Sequence, residues 1–155
     1  MHNTLLIIHS LLRWAIVLTG LWAVIRALKG VSGKTPYTGA DKKAGLFFMI
    51  FLDIQLLVGL LLYFVTSALG LKAFQTMGGG VMKESYYRYF AVEHVFVAIV
   101  AIALVHIGRA KVKKTTLDAQ KHKTSLIFFA IALILLASRI PWPGTFAGAG
   151  RGWLW

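Results

Sequence analysis

Eight side chains in this sequence stand where charge and polarity are costly. His9 and Arg13 lie in LLIIHSLLRW, Asp53 and Gln55 in FLDIQ, Glu93, His94 and His106 in AVEHVFVAIVAIALVHIGR, and Arg139 near the end of the last apolar run, in stretches built mostly of aliphatic, aromatic and small residues. In a membrane-spanning helix an ionisable group costs about 2.5–3.5 kcal/mol at the centre on insertion scales, and such groups usually face the protein interior and mark function. Two chemistries fit this set. Two neutral imidazoles placed across a flat macrocycle are the axial ligands that a b-type haem needs, held between facing helices. A carboxyl buried without a counter-charge is held protonated and becomes a proton-relay candidate.

The elements that must position these groups follow from composition. At 58% hydrophobic and 14% charged over 155 residues, the chain lies outside the range of soluble domains and fits one membrane domain spanning residues 1–155. Four apolar runs, at residues 4–26, 44–66, 89–108 and 125–142, each approach the ~20 residues that a helix needs to cross ~30 Å of hydrocarbon. The first run has neither a basic n-region nor a small-residue cleavage site, so it is expected to stay as a helix. The fold class expected is therefore an all-α integral membrane protein, an up-down bundle of four transmembrane helices. In such a bundle helices 1 and 3 run the same way and lie diagonally across the core.

The net charge of +12 could suggest nucleic acid, but its placement argues for topology. Eleven of the seventeen basic residues flank two connections, with Arg26, Lys29, Lys34, Lys42 and Lys43 around the first and Arg109, Lys111, Lys113, Lys114, Lys121 and Lys123 around the third. Both connections leave the same side of a four-helix topology. That is the positive-inside pattern: loops in the cytoplasm, both termini outside, and anionic lipid rather than nucleic acid as the partner of the charge. The absence of cysteine excludes disulfides, iron–sulfur clusters, thiolate metal sites and c-type haem attachment.

Depth then sorts the polar residues. His9 and His94 each lie five residues inside the outer end of their runs, about 7.5 Å deep at ~1.5 Å per residue. On diagonal helices both imidazoles could point into the core from opposite sides. Arg13, one turn after His9 on the same face, is placed to pair with a haem propionate or with Glu93. His106 lies about 18 Å beyond His94, level with Leu21 and Trp22, so it has no ligand partner on helix 1 and reads as a hydrogen-bonded packing residue. Glu93 can pair with Arg13, Arg88 or Arg139, or act as a proton acceptor beside a redox or quinone site. Asp53 has no basic residue obviously level with it, and Gln55 faces another way, so Asp53 is expected to be protonated. Arg26 and Arg109 are expected to snorkel to the interface, and His122 to sit solvated near the start of helix 4. No phosphate-binding glycine loop, HExxH or Ser/His/Asp set is present.

In the connections, Thr38 or Asp41 is placed to cap helix 2. The second connection suggests a short interfacial turn around residues 69–77, followed by a flexible joint at Met77–Gly80. YYRYF at residues 86–90, with Trp142, Trp153 and Trp155 in the tail, forms the aromatic belt of the outer face.

The set LLIIHSLLRW, IQLLVGLLLYF, RYFAVEHVFVAIVAIALVHIGR and SRIPWP resembles a family of short bacterial four-helix membrane proteins labelled cytochrome b or cytochrome-b-like. The resemblance implies one haem b on His9 and His94, with Arg13 and Glu93 beside it, in an electron-transfer subunit of the bacterial cytoplasmic membrane. Its partners would be lipid, other membrane subunits and a candidate quinone. A haem-free accessory subunit of a larger membrane complex is the alternative, with the polar layer as structural glue. A small proton-coupled transporter using Asp53 and Glu93 is a weaker third. The topology is open to direct test: alkaline phosphatase fused after Trp155 is expected to be active outside the cytoplasmic membrane, and the same enzyme inserted between Gly33 and Gly39 to be inactive. The reverse pattern overturns the orientation.

Overall fold

The computed structural model describes residues 1–149, 152 and 153; Trp155, expected to anchor the tail, lies outside the described residues. Helix α1 runs over His2–Gly33 and α2 over Gly39–Leu61, and α2 continues through a π-helical turn at Leu62–Thr66. A short helix α3, Leu71–Met77, and a 3₁₀ turn, Gly78–Met82, cover that end. Helix α4, Ser85–Arg88, passes through a second π-helical turn at Tyr89–Glu93 into α5, His94–Lys114. Helix α6, Asp118–Ser138, is followed by a tail with one 3₁₀ turn at Phe146–Gly148.

Four of these segments are long and apolar enough to cross a membrane, and the whole is an all-α bundle. Their outward positions carry Leu18, Leu57, Phe96, Ile99 and Ile134 exposed. Helices hydrophobic all round match a lipid surrounding. Helix α1 packs on α2 and α6, and α5 packs on α6 and α2, so α1 and α5 are diagonal, as expected. The core is Ile16, Ala23, Ala44, Phe48, Leu52, Ala101, Val105, Phe129 and Ala132. Alanines let the backbones approach closely, since lipid-embedded helices associate through tight packing rather than through the hydrophobic effect. The two bulky rings, Phe48 and Phe129, meet edge to face at 5.9 Å and fill the centre.

The helices overrun the apolar runs at the end carrying the basic connections. Helix α1 extends to Gly33 rather than Arg26, α2 begins at Gly39 rather than at 44, α5 continues to Lys114 rather than to 108, and α6 begins at Asp118 rather than at 125. Polar sequence there continues as helix because local capping supports it. The Thr38 backbone N–H and hydroxyl donate to Asp41 Oδ2 at 2.7 and 2.6 Å, so both predicted caps act together. Arg26 does not snorkel freely. Its Nε donates to Asp41 Oδ1 at 2.8 Å and its Nη2 to Thr38 Oγ1 at 3.2 Å, tying α1 to the start of α2.

Two further expectations at this end are corrected. Arg109 is buried, 9% exposed, and His122 is 1% exposed rather than solvated. The His122 ring lies against α1 at Gly30, 5.0 Å from the Tyr37 ring, with Nε2 3.4 Å from the Pro36 carbonyl oxygen. Only the missing side chain of Gly30 makes this space: a Cβ there would overlap the imidazole. At the opposite end, α6 stops at Ser138, before Pro141 rather than at 142, and the triple glycine forms a 3₁₀ turn instead of a flexible joint.

Gly30→Ala is expected to cost about 1–3 kcal/mol through overpacking, read as a lowered Tm of the detergent-solubilised protein. Gly39→Ala, where nothing lies within 4 Å of the added carbon, is the neutral control.

Candidate cofactor site

Between α1, α2, α5 and the end of α6, near the aromatic end, lies a cavity of about 310 Å³ whose wall is mostly apolar. That is at the lower end of the range for small-molecule sites, about 300–1,000 Å³, in which a few polar groups fix orientation. The polar groups here include His2, His9, Arg13, Gln55, His94 and Arg139, with the hydroxyl residues Ser10, Tyr63 and Ser67. Helical periodicity explains why they converge. His2, His9 and Arg13 are spaced seven and four apart on one stripe of α1, and Leu52, Gln55 and Gly59 three and four apart on one stripe of α2.

The two imidazoles expected to pair do come together. The ring centroids of His9 and His94 are 6.2 Å apart, with 61° between the planes, facing each other from diagonal helices. The His94 ring is oriented from behind, its Nδ1 lying 2.7 Å from the Arg139 carbonyl oxygen. A carbonyl can only accept, so His94 Nδ1–H donates, which fixes the tautomer of the neutral ring. Tyr89, buried, stacks on His94 at 6.4 Å and 28°. His9 is placed by α2: Gln55 Nε2 donates to the His9 backbone carbonyl at 3.0 Å, and a Cβ on Gly59 would come within 3.3 Å of His9 Cε1. Glycine at 59 therefore leaves room for the ring. The Gln55 Oε1 is buried with no hydrogen-bond partner among the described residues.

Two of the three arginines expected to pair with Glu93 do so. Glu93 is held by Arg88, Nε–Oε1 3.0 Å, and by Arg139, Nη2–Oε2 3.6 Å, rather than by Arg13. Arg13 is 8% exposed; its Nη2 donates to the Trp153 carbonyl, which also accepts from Trp14 Nε1 at 2.8 Å. The tail is thus folded back over the site. Glu93 does not line the cavity but lies on the π-helical turn directly before His94.

Asp53 is not alone. Its Oδ1 lies 2.8 Å from His106 Nε2, and the two side chains are 42% and 47% exposed on the outer face where α2 meets α5. Because α5 runs on to Lys114, His106 lies about 12 Å from its end at ~1.5 Å per residue, deeper than its apolar run implied and level with Asp53. His106 is hydrogen-bonded, as expected. Asp53, expected to have no basic residue level with it and to serve either as a proton relay or in a hydrogen bond to a neighbouring helix, has His106 at its level, and neither residue lines the cavity.

Sequence reasoning missed His2, Gln55 and Gly59. His2 Nδ1 lies 3.1 Å from Thr66 Oγ1 at the cavity rim. The shared stripe with His9 was the available signal. Tyr63, whose hydroxyl donates to the Ala91 carbonyl at 3.1 Å, joins the two π-helical turns.

Among the described residues no group of three or more His, Cys, Asp or Glu could hold a metal ion. Two imidazoles suffice where the metal brings its own equatorial donors, as in haem. No family model, curated protein or solved structure matches the chain.

A double-mutant cycle tests the Asp53–His106 pair. Asp53→Leu and His106→Leu are each expected to destabilise by about 1–3 kcal/mol by leaving one polar partner unpaired, and the double variant by less than the sum. Strict additivity would show the pair to be uncoupled.

Proposed function

We propose that this chain is a small b-type cytochrome-like membrane subunit that transfers electrons within or beside a larger redox complex. It would lie in the bacterial cytoplasmic membrane with both termini outside. The observation that carries the reading is the pair His9 and His94, whose rings lie 6.2 Å apart edge to face and both line one cavity between diagonal helices. His9 and His94 would hold the haem iron through their imidazole nitrogens. The donor set would suit haem b: two imidazoles, one with its tautomer set by the Arg139 carbonyl, and two cations at the cavity wall, Arg13, which also donates to the Trp153 carbonyl, and Arg139, which also faces Glu93.

Haem in such a site supplies one-electron exchange. The protein's own residues do the rest. Arg139 fixes His94 through its carbonyl and neutralises Glu93 through its guanidinium. Gly59 leaves the His9 ring its place against α2. Glu93, next to His94 and flanked by Arg88 and Arg139, is placed to tune local charge and accept a proton on reduction. One haem near one face reaches only part of the way across the membrane, so another subunit, or a quinone, must supply or accept the electron.

The alternative, a haem-free accessory subunit, draws support from the folded-back tail. There Arg13 and Trp14 are engaged by the Trp153 carbonyl, as structural glue would require.

A reduced-minus-oxidised absorption spectrum of protein purified from haem-replete cells separates the two. A haem b band is expected, lost in His9→Ala and His94→Ala and retained in His106→Ala. Colourless protein, or a spectrum unchanged in the first two variants, overturns the proposal.

A further inference from the structure

The opposite end of the bundle holds a second cavity, of about 380 Å³, between the first turn of α2, the last turns of α5 and the start of α6. Four cationic side chains line it, Lys42, Arg109, Lys113 and Lys121, and no carboxylate does. Lys42 lies in the first turn of α2, whose Gly39 also lines the cavity, so the positive end of that helix dipole adds to the field.

The decisive residue is Arg109. It is 9% exposed, lines this cavity, and makes no hydrogen bond or ion pair among the described residues. Its guanidinium carries five N–H donors and keeps its charge, and none of its nitrogens is among the fully sealed unpartnered atoms, so they reach the cavity rather than closed protein. Of the nearby acids, Asp41 is held by Arg26 and Thr38, while Asp118 meets Lys121, itself one of the four cations, at 3.5 Å and leaves Lys42, Arg109 and Lys113 without a carboxylate among the described residues. Tyr37 adds no negative charge, because burial pushes its phenol above the ordinary value and leaves it neutral near pH 7. Its ring lies 5.6 Å from Lys121 Nζ and holds that cation at the rim.

We propose that this cavity binds a phosphate group, with Arg109 as the buried anchor and Lys42, Lys113 and Lys121 as the rim. A multivalent oxyanion answers a converging set of four cations where a single carboxylate would leave most of them unmatched, and guanidinium presents the forked geometry that phosphate oxygens accept. Free phosphate and an anionic phospholipid headgroup both supply that chemistry, and a basic pocket between helices at a membrane face is a known form of lipid headgroup site. This site lies at the far end of the bundle from His9 and His94 and does not depend on haem.

The test uses the full chain in phosphatidylcholine nanodiscs. Inorganic phosphate is titrated against chloride at equal ionic strength, with binding read by calorimetry. In parallel, native mass spectrometry reads retention of phosphatidylglycerol by detergent-solubilised protein. Saturable phosphate binding assigns the site to a free anion, and phosphatidylglycerol retention without phosphate binding assigns it to the lipid headgroup. In either case Lys42→Gln, Lys113→Gln and Lys121→Gln are each expected to weaken binding about fivefold, and Arg109→Gln to remove it. Should Arg109→Gln fail to fold, the triple lysine variant, altered only at the rim, decides. Absence of both ligands, or binding that survives the triple variant, overturns the proposal.

Discussion

Hydrocarbon offers no hydrogen bonds, so a polar side chain at membrane depth must find its partner within the bundle or bring one with it. That constraint organises this molecule into three polar levels. At the aromatic end, Glu93 meets Arg88 and Arg139, His94 meets the Arg139 carbonyl, Gln55 meets the His9 carbonyl, and Arg13 meets the tail. At middle depth Asp53 and His106 satisfy one another. At the basic end Arg26, Asp41 and Thr38 form one cluster. Between these levels the interior is alanine, leucine, valine and phenylalanine. Each polar level joins different helices, so removing one partner strands another rather than merely losing a contact.

The two π-helical turns belong to the same constraint. Leu62–Thr66 and Tyr89–Glu93 face each other across the bundle, joined by the Tyr63 hydroxyl and the Ala91 carbonyl. A π-helical turn inserts a residue into the α-helical register, and such turns cluster at functional sites. Here the second one ends at Glu93, immediately before His94. It rotates the aromatic belt of Tyr86 to Phe90 relative to the histidine below, so that Tyr89 can stack on the imidazole while the carboxylate turns to the arginines.

Hydropathy and charge made the fold legible, because four long apolar runs separated by short basic connections leave few ways to satisfy a bilayer. The pairing of His9 with His94 was legible too, from depth and helix direction alone. What escaped were features set by helix ends. The apolar runs stop where hydropathy falls, but α1, α2, α5 and α6 continue as helix through polar sequence, with a capping box at the start of α2 and ion pairs at Arg26–Asp41 and Asp118–Lys121. That extension deepens His106 to meet Asp53 and encloses Arg109. His122 was misplaced because its burial depends on a hole at Gly30, which pattern reading treats as a neutral helical position. Gln55 was judged only against Asp53, two residues away, when its spacing to Gly59 placed it on the cavity side.

The position of the two cavities bears on how charge could cross this protein. One opens near the aromatic end and the other near the basic end, and between them Phe48, Leu52, Ala101, Val105, Phe129 and Ala132 are all nearly fully buried. A chain of protonatable groups through the interior would have to pass this apolar plug, and the acid at middle depth, Asp53, lies on the outer face instead. With no internal repeat to rock against a fixed site, the transporter reading has little structural footing. An electron differs from a proton here: it needs no continuous polar path, only a second centre within reach. The apolar core between the two cavities would therefore not by itself bar the electron-transfer role proposed above, whereas it does bar a continuous polar path.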